Sequence, residues 1–163
     1  MAHDKSIGEM RVKDLVEAIR ENRPAPGAGA AGAVVLALAA ACAEKAVAIS
    51  LRHNPEEKKL AAAKEGFEEI ARRALSNADA DAEDFSAFMR SRNASMAERL
   101  VQTDKRIVDL GSALIALVED VEASVAANMA GDLFAARALA KAARDIESHN
   151  IAETVHDSAK DSH

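Results

Sequence analysis

Val12, Leu15, Val16 and Ile19 recur at three- and four-residue steps, which predicts a short helix with one apolar face ending near Asn22, ahead of Pro24. From about Gly27 to His53 the chain is Ala-rich and, over its first half, apolar nearly all round. Such a helix belongs at the centre of a bundle. Asn54-Pro55 stops it, and Glu56 and Glu57 suit the start of the next helix. Leu60, Ala63, Phe67, Ile70, Ala71, Ala74 and Ala78 trace a single stripe, predicted to run with a kink into Phe85, Phe88 and Met89. After a break at Ser91 to Ala94, apolar residues return at helical spacing from about Ala97 to Val125, with Leu100, Val101, Val108, Gly111, Leu114, Ile115, Val118 and Val121. Asn128 to Asp132, with Gly131 as the flexible position, interrupts the pattern before a last helix of about 132–157. The expectation is an all-α bundle of about five helices with mostly antiparallel neighbours, forming one domain over 10–158. Residues 1–9, polar and aperiodic, are expected to be disordered, and 159–163 to be a frayed tail.

Composition sharpens this picture. The 163 residues include no Trp and no Tyr, and Ala, Leu, Val, Glu, Lys and Arg dominate, which favours helices over strands. A central helix that is apolar on every side also predicts that one side of the bundle is buried in a symmetric homodimer. The net charge of −6 with no basic stripe argues against nucleic acid or an anionic membrane as partner. The apolar run 30–43 falls short of the ~20 residues a bilayer span requires. A single cysteine, Cys42, set among alanines, reads as a buried inert thiol, and with no export-type N-terminus the expected location is cytoplasmic.

The candidate chemistry centres on Arg23-Pro24-Ala25-Pro26-Gly27-Ala28-Gly29-Ala30-Ala31-Gly32-Ala33. Prolines followed by closely spaced glycines describe a tight turn and a helix N-terminus with a bare backbone, whose first N–H groups lack intrahelical partners. Small residues there serve the close approach either of another helix or of an anionic or carbonyl-bearing ligand. Asn128 and Asp132 stand at a helix start, where Asp132 is either a cap or an acid-base group at the end of a bundle. Asn150 follows Asp132 by 18 residues, on a face with Leu139, Ala143 and Ile146, where an amide bonds to a neighbouring helix or to a ligand. Asp81 and Asp84 share a helix face and read as a solvated or capping pair. His149, Glu153 and His156 have spacing that could face one metal, but the polar tail suggests no fourth ligand.

Three of these segments together resemble the cyclodeaminase/cyclohydrolase family, which includes the cyclodeaminase domain of formiminotransferase-cyclodeaminase and bacterial methenyltetrahydrofolate cyclohydrolases. The family's Pro-Thr-Pro-Gly-Gly-Gly-Ser is matched by Pro24-Ala25-Pro26-Gly27-Ala28-Gly29-Ala30. Its Asp-Ala-Glu-Ala-Phe with a Met four residues on is similar to Asp81-Ala82-Glu83-Asp84-Phe85 and Met89. Its Asn, Ser-Asp pair and Ala-rich helix ending in Asn resemble Asn128-Met129-Ala130-Gly131-Asp132 and Asn150.

The resemblance implies a helical homodimer acting on a tetrahydrofolate derivative as substrate, without metal. The reaction is either closure of N10 on the formimino carbon with loss of ammonia, or addition of water to a methenyl carbon. On this reading Asp132 transfers the proton, and the turn Gly27, Ala28, Gly29 and Ala30 approaches the ligand. Asn128 and Asn150 orient it, and Arg52, Lys58 or Lys59 meets its glutamate tail. Ala28, Ala30 and Gly131 replace a glycine and two hydroxyls of the family pattern, so the alternative implied is a non-catalytic helical dimer that binds a ligand or a protein partner.

Overall fold

The computed structural model describes residues 6–160. Among them are five α-helices and no strand: α1 (Val12–Arg20), α2 (Ala28–His53), α3 (Lys58–Ser91), α4 (Ala94–Val121) and α5 (Ala130–Lys160). The four long helices form an antiparallel bundle in which α2 packs against both α3 and α5, while α4 closes the other side. By length and composition α2 could cross a membrane, yet Ala33, Leu36, Ala40, Ala43 and Val47 on it are core residues around which the other helices pack.

α3 runs unbroken where a kink was expected, because its stripe Leu60, Ala63, Phe67, Ile70, Ala74 and Ala78 continues in register to Phe88. It stops at Arg92, which takes a left-handed conformation (φ 49°) and donates its N–H to Phe88 O. Asn93 then caps α4, its side chain accepting from Met96 N. Single 3-10 turns at Glu122–Ser124 and Ala127–Met129 lead into α5.

Other expectations change as well. Residues 6–9 pack rather than fray: Ser6 Oγ and Ile7 N both donate to Asp79 at 2.7 Å, and Ile7 is buried. Residues 1–5 and 161–163 lie outside the described residues, and α5 continues through 159–160. The apolar face of α1 meets the core only through Leu15, which packs against it half-buried. Val12 and Val16 are exposed and Ala18 is the buried residue, since α1 touches the bundle only slightly. Cys42 is likewise only half-buried.

Candidate functional site

α2 begins without a side-chain cap. Gly27 supplies the N-cap backbone, and the preceding Ala25–Pro26 peptide is cis. The first N–H groups of the helix therefore need partners from elsewhere. One is Asp81, on α3, whose carboxylate takes a hydrogen bond from Ala30 N–H. It can do so because Gly29 has no side chain: a Cβ there would overlap Asp81 Oδ1. Gly32, one turn on, makes the same allowance for Glu147 of α5, whose Oε1 a Cβ would overlap. Two glycines of the turn are thus cut-outs for two carboxyl groups.

Those carboxyls belong to a cluster contributed by three helices: Asp81 and Asp84 of α3, Asp104 of α4 and Glu147 of α5, all buried. Asp84 is neutralised, with Arg99 Nε at 2.6 Å and Thr103 Oγ1 at 2.7 Å. Among the described residues no cation pairs with the other three. Burial pushes Asp81 up to about 6, against the pull of the Ala30 N–H and of Asp104. Burial also lifts Asp104 to about 8, with the charge and hydrogen bond of Asp81 adding to it. Glu147 rises to about 9 through burial and the charges of Asp104 and Asp81, held back by the Asn150 amide. Asp81 and Asp104 are hydrogen-bonded side chain to side chain, an arrangement that requires a proton between them. Asp104 Oδ1 has no partner, although the residue is only 2% exposed.

Asp81, Asp104 and Asn150 open onto a cavity of about 400 Å³, floored by Gly27, Ala28 and Gly29. Phe85, Phe88, Met89 and Leu100 form an apolar wall, and the guanidinium of Arg92 lies 5.6 Å from the Phe88 ring centroid. Arg92 is the cation among the lining residues, while Glu153 and Asp157 are further acids. A cavity of this size with an apolar, partly aromatic wall and convergent polar groups suits a small ligand that has both an apolar and a polar part. Paired carboxyls with separated proton affinities suit proton transfer.

The expected site residues divide into two groups. Gly27, Ala28, Gly29 and Asn150 line the cavity. Ala30 is fully buried in the core and meets the site only through its backbone N–H. Asp132, expected to face the glycine turn, stands at the other end of the bundle, in the first turn of α5, with Lys45 Nζ at 2.9 Å. Lys45 lies 16 residues beyond Gly29 on α2, roughly 24 Å along the axis. α5 runs antiparallel to α2, which takes its start away from the turn and brings its end, at Asn150, back to it. Asn128, Arg52, Lys58 and Lys59 are exposed at that same far end, Lys59 pairing with Asp120 at 2.8 Å.

Asp81 and Asp84 are neither solvated nor capping, since both sit inside α3 facing the bundle. Asp104 and Glu147 escaped functional notice. Their signal was a carboxylate at an apolar position of the register: Asp104 within Leu100, Ile107 and Gly111, and Glu147 within Ala136, Ala140 and Ala143. His149 Nε2 lies 3.3 Å from Glu153 Oε1 on an exposed face, and among the described residues no three His, Cys, Asp or Glu come together as metal ligands.

The chain superposes on the crystal structure of formiminotetrahydrofolate cyclodeaminase from Thermotoga maritima with a TM-score of 0.87 at 21% identity, over 92% of this chain and 80% of that one. No curated protein matches it by sequence. The profile of the family described as Formiminotransferase-cyclodeaminase matches residues 11–158, and with nearly the whole bundle inside that match the chain belongs to this family.

Proposed function

We propose that the protein is a folate-dependent one-carbon enzyme of the cytoplasm, closing N10 of 5-formimino-tetrahydrofolate on the formimino carbon. The observation that carries this reading is the Asp81–Asp104 pair, two buried carboxyls from α3 and α4 that both line a cavity with an apolar wall. In the reaction N10 forms a bond to the carbon, the bond from that carbon to the terminal nitrogen breaks, and one proton passes from N10 to the leaving ammonia. Asp81, the stronger acid of the two, is ionised near neutrality and takes the N10 proton. Asp104 holds its proton and gives it to the leaving nitrogen. The cationic formimino group also complements a cavity lined by carboxyl groups. Hydrolysis of 5,10-methenyl-tetrahydrofolate needs the same proton movements and is the alternative reaction. A non-catalytic binding module would gain nothing from burying three carboxyls without a cation, a costly arrangement that points to chemistry.

Asp132 enters such a site only from a second copy of the chain. Ala31, Val34, Val35, Leu38, Ala41, Cys42 and Ile49 form an apolar stripe on the outer face of α2, with Leu38 54% exposed at its middle and Lys45 as its one charge. A two-fold axis through Leu38 pairs two such faces antiparallel and sets Lys45 of one copy, with its bound Asp132, opposite Ala31 of the other, beside the glycine turn. In this homodimer Asp132 is a further proton-transfer group, and Arg52, Lys58 and Lys59 approach the folate tail from the partner.

The test is conversion of 5-formimino-tetrahydrofolate by purified protein, followed by ammonia release, with 5,10-methenyl-tetrahydrofolate assayed beside it. A buffer control is essential because the methenyl compound hydrolyses unaided. Rates equal to buffer with both substrates would leave only a binding function.

A further inference from the structure

Glu147 has no part in the chemistry above, yet its surroundings are specific. It is 1% exposed, seated in the notch that Gly32 leaves on α2. Its Oε1 has no hydrogen-bond partner, and its Oε2 accepts from Asn150 Nδ2 at 3.2 Å. Asn150, three residues on along α5, lines the cavity, and Glu147 does not. A side-chain amide has one donor end and one acceptor end. With the donor end tied back to Glu147, the acceptor end remains for a ligand.

We propose that Glu147 is a positioning residue: held in the Gly32 notch, it fixes Asn150 with its carbonyl oxygen presented to the cavity, so that the site selects a ligand bringing an N–H donor to that point. The inference rests on the folate reading and narrows it. A formimino group ends in N–H, whereas a methenyl carbon between two substituted nitrogens carries only C–H. Asn150 and Asp104 both line the same cavity, and Asp104 Oδ1 has no hydrogen-bond partner. Two acceptors beside one cavity are satisfied together by a ligand with two N–H groups, and a ligand without them leaves Asp104 Oδ1 buried and unpaired.

The test uses Glu147→Gln, which can still accept from Asn150, and Glu147→Leu, which cannot. One readout needs no ligand. The Asn150 side-chain amide signals, identified by their loss in Asn150→Asp, should exchange with solvent slowly in wild type and Glu147→Gln and about tenfold faster in Glu147→Leu. Equal exchange in wild type and Glu147→Leu overturns the positioning role. The other readout is selectivity. Glu147→Leu should lose about tenfold in kcat/KM on the formimino substrate but no more than about twofold on the methenyl substrate, with Glu147→Gln close to wild type. Equal losses on both substrates overturn the selection for N–H. Should Glu147→Leu fail to fold, Glu147→Met provides the same comparison with a more adaptable side chain. Absence of any wild-type turnover would sink the folate reading, and the exchange measurement would still decide whether Glu147 holds Asn150.

Discussion

Gly29 exists in this chain to admit Asp81: a side chain on the α2 residue would overlap the carboxylate of the α3 residue. The glycine turn therefore shapes the site indirectly, by letting a carboxyl reach the bare start of α2, with Ala30 N–H as its donor. Gly29→Ala should lower stability by about 1–3 kcal/mol, the range for overpacking a core. Combining it with Asp81→Ala should recover much of that loss, because the methyl then occupies the vacated space. Thermal melting of the four proteins of this cycle measures the coupling, and additive effects would contradict the fit.

Stability should fall as pH rises, and Glu147 should be a principal cause. Its carboxyl titrates near 4.5 when unfolded and is raised to about 9 in the fold. Between those values the folded protein keeps a proton that the unfolded chain releases, so the contribution is fully present below about 4.5 and lost as pH approaches 9. Glu147→Gln removes this dependence. The difference in melting temperature, Gln variant minus wild type, should increase steadily from pH 5 to pH 9, and a difference that is flat or shrinks would contradict the buried-acid assignment.

Arg92 offers a substitution whose two effects have opposite sign. Its φ of 49° is strained for a side-chain-bearing residue and natural for glycine. Arg92→Gly should thus keep or raise the melting temperature, gaining up to about 1 kcal/mol against the lost contact with Phe88. The same change removes the cation from the cavity rim, so the KM for a folate with an anionic tail should rise several-fold, most clearly at low salt. An unchanged KM would assign Arg92 to helix termination alone.

The paired-α2 arrangement is tested at its centre. Leu38→Glu places a charge at the two-fold axis and should yield monomers in sedimentation equilibrium without unfolding the bundle, since Leu38 is exposed in the single chain. If Asp132 acts from a second copy, Leu38→Glu should reduce turnover to the level of Asp132→Asn. A monomer with full turnover would remove Asp132 from the site.

Helix number and order were legible because the long helices carry apolar residues at recurrent 3.6-residue spacing, and Pro, Gly and Asn mark the breaks between them. The glycine turn and Asn150 were legible as exceptions to that pattern. The partners they meet were not. Asp104 and Glu147 look like ordinary charges on charged helices, and only the superposition of four helices shows that their faces turn inward at one end of the bundle. Likewise the run from Asn128 to Asp132 reads correctly as a helix start, but its distance from the turn depends on the antiparallel course of α5. The face of α1 misled because an amphipathic stripe gives a buried face without saying what buries it.

The central claim is that Asp81 and Asp104 together move the proton between N10 and the departing nitrogen. The most direct measurement is single-turnover conversion of 5-formimino-tetrahydrofolate by Asp104→Asn, which keeps the shape and the hydrogen bond to Asp81 while removing the transferable proton. The account predicts a loss of about 10²–10⁴-fold in rate with the melting temperature preserved or raised, because a buried carboxyl has been replaced by a neutral group. A folded Asp104→Asn protein that turns over at the wild-type rate would contradict it.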